Sequence, residues 1–199
     1  MKTLILALFL LVAPFQAYAV RSTDISQAIS AAETVKLHDT FLIAVAIEKI
    51  LEADPFFQHR VMTNAAILKL AKDVEKASKV SGRRWELLLA ISYVESNLCD
   101  EGWLKGDKKL NRTGKKLIDY DSIGCMQVNL KWWGEEISKA GLQQQDLLDS
   151  TNGIIIGALI LTHKVDVYGW EEGIKRYNGI GIRAENYRTR VLTVLNLIA

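Results

Sequence analysis

The chain has few of the residues that break, cross-link or ligate. In 199 residues it holds two prolines, two cysteines and three histidines. With only Pro14 and Pro55, most of the sequence can run as helix without an imposed kink. His38, His59 and His163 are scattered, and no metal-ligand spacing links them to the cysteines. Neither a metal site, a cofactor nor a histidine-based triad is therefore expected. Internal repeats and low-complexity segments are also absent. The formal net charge is only +2, which argues against general nucleic-acid binding, since that needs clustered phosphate-neutralising charge.

A long apolar run occurs once, at the start. Met1 to Ala13 is a short charged beginning followed by apolar residues, and Pro14-Phe-Gln-Ala-Tyr-Ala19 ends in a small-x-small signature. This reads as a secretory signal cleaved after Ala19. The other reading is a retained membrane anchor, but the run is short for a bilayer and Pro14 ends it. No cysteine directly follows the site, so no lipid anchor is expected there. Lys2 is the one charged side chain in this segment, and its removal takes the net charge to +1. The expected product is one exported domain, periplasmic or in the cell envelope, with no stable membrane span. The 49% hydrophobic content suffices for one core.

Export governs how Cys99 and Cys125 read. In an oxidising compartment they are expected to form a disulfide, worth roughly 3–4 kcal/mol in the chain-entropy model. The bridge would link the end of one helix to a Gly-Cys-Met-Gln segment. Two buried free thiols are the alternative.

Residues 24–52 show helical periodicity, with Ile25, Ala28, Ile29, Ala32 and Val35 continued by Phe41 to Leu51. Asp54-Pro55 breaks the pattern. Residues 61–79 form a second amphipathic stretch, and Ser81-Gly82 punctuates it. Trp85–Leu98 is apolar nearly all round and is expected to be a buried central helix. Residues 101–121 change character: Gly102, Gly106, Asn111 and Gly114 break regularity while Lys105, Lys108, Lys109, Arg112, Lys115 and Lys116 cluster. Residues 110–117 read as a small hairpin or, equally, as a solvated basic loop. In the functional reading this basic stretch is a groove lip facing acidic peptides. Helices are expected again after Trp133, over Ile154–Val167 behind the cap-type Asp149-Ser-Thr-Asn152, and over Trp170–Tyr177 and Ala184–Leu197.

Glu95 closes the apolar helix. A carboxylate in apolar surroundings has its charged form disfavoured, so its pKa rises. A Glu protonated near neutral pH can donate a proton to a leaving oxygen, as glycosidic cleavage requires. The alternative is a salt-bridged surface residue, weakened by Tyr93-Val94 before it.

Glu95-Ser96, Gly124-Cys-Met-Gln127 and Arg176-Tyr-Asn178 occur in that order, with Leu147-Leu-Asp149 and Asn152-Gly-Ile-Ile-Ile-Gly157 between the last two. Together they resemble the lysozyme-like lytic transglycosylases of the soluble-lytic-transglycosylase type. The likeness is strongest to small members that accompany secretion, pilus and conjugation machines, through Met126-Gln-Val-Asn-Leu-Lys-Trp132, and it covers roughly residues 80–190. Three positions depart from the family pattern: Cys125 stands for Leu, Arg176 for Ala, and Gly153 for Asn, with Asn152 one place early.

The resemblance implies a mainly α, lysozyme-like fold with at most a small β-hairpin, packed around a buried catalytic helix. Residues 1–19 would be the signal, 20–79 a helical extension on the core, and 80–199 the transglycosylase domain. It implies peptidoglycan strands as substrate and an envelope machine as a possible partner. Glu95 would be the acid and then the base. Ser96 would contact sugar or orient Glu95, or simply bond at the helix end. Met126 and Gln127 would line the groove, with core packing the alternative for Met126. Tyr177 would hydrogen-bond near Glu95, or be a satisfied core tyrosine, and Asn178 would support it. Gly124 would allow close backbone approach. Two other functions stay open: a goose-type-like muramidase using a second carboxylate from Asp100, Glu101, Asp119 or Asp121, and a non-catalytic peptidoglycan-binding assembly factor.

Overall fold

A computed structural model describes residues 20–54, 62–100 and 122–199. The expected leader at 1–19 and the expected hairpin near 110–117 lie outside them. The described residues are mainly helical: α1 (Ser22–Thr34), α2 (Thr40–Ala53), α3 (Asn64–Ser81), α4 (Trp85–Ser96), α5 (Leu130–Lys139), α6 (Ser150–Tyr168), α7 (Trp170–Asn178) and α8 (Ile182–Ile198). A two-stranded sheet joins β1 (Ser122–Ile123) to β2 (Val128–Asn129). No described helix is long and apolar enough to cross a membrane.

α4 is the centre. Five successive residues, Leu87 to Ile91, are fully buried, which requires cover on every side of the helix. α2, α3, α6 and α8 supply it. Burying each Leu or Ile contributes roughly 1.5–3 kcal/mol relative to exposure. Buried residues of α1, α2 and α3 belong to the same core as those of α4, α6 and α8.

The periodicity over 24–52 belongs to two helices rather than one. The break at residues 35–39 is fixed from a distance by Glu75 of α3, which is fully buried. Its carboxylate accepts from the Asp39 amide at 2.8 Å, from the Thr40 hydroxyl at 2.6 Å and from the His38 amide. These are donors at the start of α2, where amides lack intrahelical acceptors and negative charge is favoured. Burial pushes the Glu75 pKa up, but these hydrogen bonds and nearby Lys79 outweigh it and hold the carboxyl below its usual range.

Asp73, two residues earlier, points the other way round the helix. It accepts from Thr151 at 2.7 Å, from Ser150 and from Lys69 at 2.7 Å, pinning the first turn of α6. One helix thus fixes the N-termini of two others.

The sheet forms within the Ser122–Asn129 motif, where the sequence pattern carries no strand signal. Ser122 pairs with Asn129 and Ile123 with Val128. The connecting Gly-Cys-Met-Gln turn is closed by the Gln127 amide on the Gly124 carbonyl at 3.0 Å. Gly124 has φ +82°, and a Cβ there would lie 2.4 Å from the Leu147 carbonyl oxygen. Gly153 approaches the same carbonyl, and its Cβ would lie 3.2 Å from the Cys125 amide. Glycine at 153 therefore has a packing reason: the bare backbone of α6 lets the turn sit down on it. Gly157, one helical turn on, does the same for Met126.

Cys99 and Cys125 are bridged, with Cα atoms 4.5 Å apart. α4 ends at Ser96, short of the expected Leu98, because Asn97, Leu98 and Cys99 all take positive φ (51°, 59°, 62°). Such left-handed residues cost about 1–2 kcal/mol each without glycine. The bridge, the buried Leu98 side chain and Ser96 hold the turn in place.

Candidate active site

Glu95 sits in the last turn of α4 and lines a cleft of about 180 Å³. The hairpin supplies one wall through Ser122, Gln127, Val128 and Asn129. Trp133 of α5 and Ile160 of α6 make an apolar side, and Tyr177 and Asn178 close α7 against it. Glu95 is the one carboxylate lining the cleft among the described residues.

Burial raises the Glu95 pKa from 4.5 to about 7, against a lowering influence from Tyr187 and Arg190. The carboxyl is thus poised to hold or release a proton near neutrality. Tyr187 and Arg190 come from α8 and were not singled out in the sequence. Tyr187 is 6% exposed, and its hydroxyl, pushed well above its usual pKa by burial and by Glu95, lies within reach of that carboxyl and has no closer hydrogen-bond partner among the described residues. The available signal was the buried stripe Ala184, Tyr187, Val191, Val194, which points a phenol at the core.

The expected site residues divide. Gln127, Tyr177 and Asn178 meet Glu95 at the cleft. Burial pushes the Tyr177 hydroxyl well above its ordinary pKa, with the Glu95 charge adding to this. The same hydroxyl donates to the Met126 carbonyl at 2.7 Å, so the hairpin is anchored beside the carboxyl. The Gln127 side-chain Nε2 also donates to the Gly124 carbonyl, at 2.9 Å, which orients the side chain at the turn.

Ser96 and Met126 are fully buried and outside the cleft lining. Ser96 donates to the Cys125 carbonyl at 2.7 Å and accepts from the Cys99 amide at 3.1 Å. Its place is therefore the helix-end bonding position rather than sugar contact. Met126, expected on the groove, packs on Gly157 instead, because the turn geometry directs its side chain into α6. Asn129 was missed as a lining residue. Its Oδ1 accepts from the Lys131 amide at 3.0 Å, capping α5 and holding the side chain at the cleft edge.

The arrangement can deliver one proton to, and retrieve one from, a ligand bound among amide and hydroxyl donors. No group of acids, histidines and cysteines suited to a metal occurs among the described residues. Comparison with protein-family models, curated proteins and solved structures finds no match.

Proposed function

We propose that the protein is an exported peptidoglycan lytic transglycosylase. The observation that carries this reading is Glu95: a carboxyl with its pKa near 7, the one carboxylate among the described residues in a cleft lined by Gln127, Asn129, Tyr177 and Asn178. As acid, it protonates the oxygen joining N-acetylmuramic acid to N-acetylglucosamine, and the C1–O bond breaks. As carboxylate, it takes the proton from the muramic C6 hydroxyl as that oxygen bonds to C1. A 1,6-anhydro ring forms and no water is consumed. The substrate's N-acetyl group stabilises C1 in the role a second protein carboxylate plays in most glycosidases.

The Cys99–Cys125 bridge supports an exported setting, since such bonds persist in oxidising compartments. Local opening of the wall for a secretion, pilus or conjugation machine is the task that fits the resemblance.

The test is mass spectrometry of products from purified sacculi, treated with the protein and with its Glu95→Gln variant. Anhydro-muropeptides formed by the natural protein alone are expected. Reducing-end products would move the reaction to a hydrolase. Sacculi bound but uncleaved would favour an assembly factor.

A further inference from the structure

The acid of the cleft stands at the edge of a strained turn. Glu95 and Ser96 end α4, and Asn97, Leu98 and Cys99, which follow, are all left-handed without being glycine. A single residue of this kind persists only where its surroundings hold it, and a run of them needs several restraints. Here the restraints are the Cys99–Cys125 bridge, the buried Leu98 side chain and the Ser96 hydroxyl. That hydroxyl accepts from the Cys99 amide at 3.1 Å and donates to the Cys125 carbonyl at 2.7 Å.

The bridge alone among these depends on oxidation, and its loss would reach the site from both sides. Cys99 follows Glu95 by one helical turn. Cys125 lies in the hairpin turn that leads to Gln127, Val128 and Asn129, which line the cleft. The main core is elsewhere: Leu87 to Ile91 occupy the earlier turns of α4 and are covered by α2, α3, α6 and α8. Without the bridge, one buried leucine and the Ser96 hydrogen bonds are left to hold the left-handed run. Glu95 keeps its proton near neutrality because it is buried. A turn that opens to water removes the property that makes it an acid.

We propose that the Cys99–Cys125 bond is a redox switch that arms the Glu95 site: the reduced chain keeps its helical core without a formed cleft, and oxidation after export assembles the cleft. Its effect on activity rests on the glycan reading of the cleft. Arming is thiol–disulfide exchange with a disulfide-bearing oxidant of the envelope. The thiolate of Cys99, the partly exposed partner, attacks that disulfide, forms a mixed disulfide and expels one donor thiolate. The Cys125 thiolate, reachable while the turn is open, then displaces the second donor sulfur and closes the protein's own bond. Two electrons and the two thiol protons pass to the donor, which leaves as a dithiol. A wall-cleaving acid thus stays unassembled until it reaches the compartment where such bonds persist.

The test compares the bridged protein, the same protein reduced with dithiothreitol, and a Cys99→Ala/Cys125→Ala variant. Far-UV circular dichroism of the reduced protein is expected to match that of the bridged one. Its Cys99 amide is expected to lose about tenfold more protection from hydrogen exchange than the Ile154, Ile155 and Ile156 amides of α6, the sign of local opening. Cleavage of sacculi is expected to fall about tenfold on reduction and to return with oxidised glutathione. In the double variant it is expected to be low with or without dithiothreitol. Loss of the helical signal on reduction overturns the switch, because the bridge would then hold the whole fold. A Cys99 amide that loses no more protection than those of α6 overturns it as well. If neither form cleaves sacculi while the Cys99 amide responds, the reaction class fails and the redox-gated turn stands. If the reduced protein or the double variant cleaves as well as the bridged protein, the switch alone fails.

Discussion

The hydroxyl of Ser96 lies 2.7 Å from the carbonyl oxygen of Cys125. The residue that follows the acid is thus bonded to the turn that builds the opposite wall of the cleft. The Cys99–Cys125 bridge runs in parallel with this bond, and the Tyr177 hydroxyl on the Met126 carbonyl adds a third link from α7. Helix end, hairpin and α7 are therefore tied together around Glu95.

Ser96→Ala would leave the Cys99 amide and the Cys125 carbonyl without this partner inside the protein. The expected loss is about 1–3 kcal/mol of stability, the penalty for stranding buried polar groups. Urea denaturation reads it as a lower midpoint with an unchanged slope. A sugar-contacting serine would instead show near-natural stability with impaired substrate binding.

Gly157 makes the second sharp prediction. A Cβ there would lie 2.4 Å from the Met126 Cβ and 2.7 Å from its sulfur. Gly157→Ala should destabilise by about 1–3 kcal/mol through overpacking, despite alanine's better helix propensity. Met126→Gly in the same chain, which removes the clashing Cβ together with the sulfur, should recover part of that loss. A double-mutant cycle with no coupling would mean that the turn does not rest on α6 in this way.

How much of this was legible in sequence depends on the range of the forces involved. α4 could be read because an all-round apolar helix ending in Glu95 is a local pattern. Its end at Ser96 could not, because the left-handed turn through Cys99 is held by a partner distant in sequence. The break between α1 and α2 was hidden for the same reason: its caps come from Glu75, more than thirty residues on. Glycines at 153 and 157 could be read as helix residues but not as the seat of the hairpin. The motifs pointed to Gln127, Tyr177 and Asn178, which the fold brings to the cleft beside Glu95. Tyr187 and Arg190 lay in a helix whose pattern spoke only of packing.

Glu95 itself gives a prediction with a defined sign. Its pKa rises from 4.5 to about 7 on folding, so the folded state holds the proton more tightly than the unfolded chain. The stability gained from that proton is complete below pH 4.5 and is lost as pH rises through about 7. A shift of this size corresponds to roughly 3 kcal/mol. Glu95→Gln, which carries no titrating group, should therefore match the natural protein at pH 4 and exceed its stability by up to about 3 kcal/mol at pH 8. With Glu95 as the proposed general acid, cleavage of sacculi should follow the same titration, with a plateau on the acid side and a decline above pH 7. Tyr187→Phe removes an influence that lowers this pKa and should move the decline to higher pH. Unfolding midpoints and rate profiles across pH 4–9 check all three. A variant no more stable than the natural protein at pH 8 would mean that Glu95 is a solvated surface acid, and the case for a buried proton donor would fall with it.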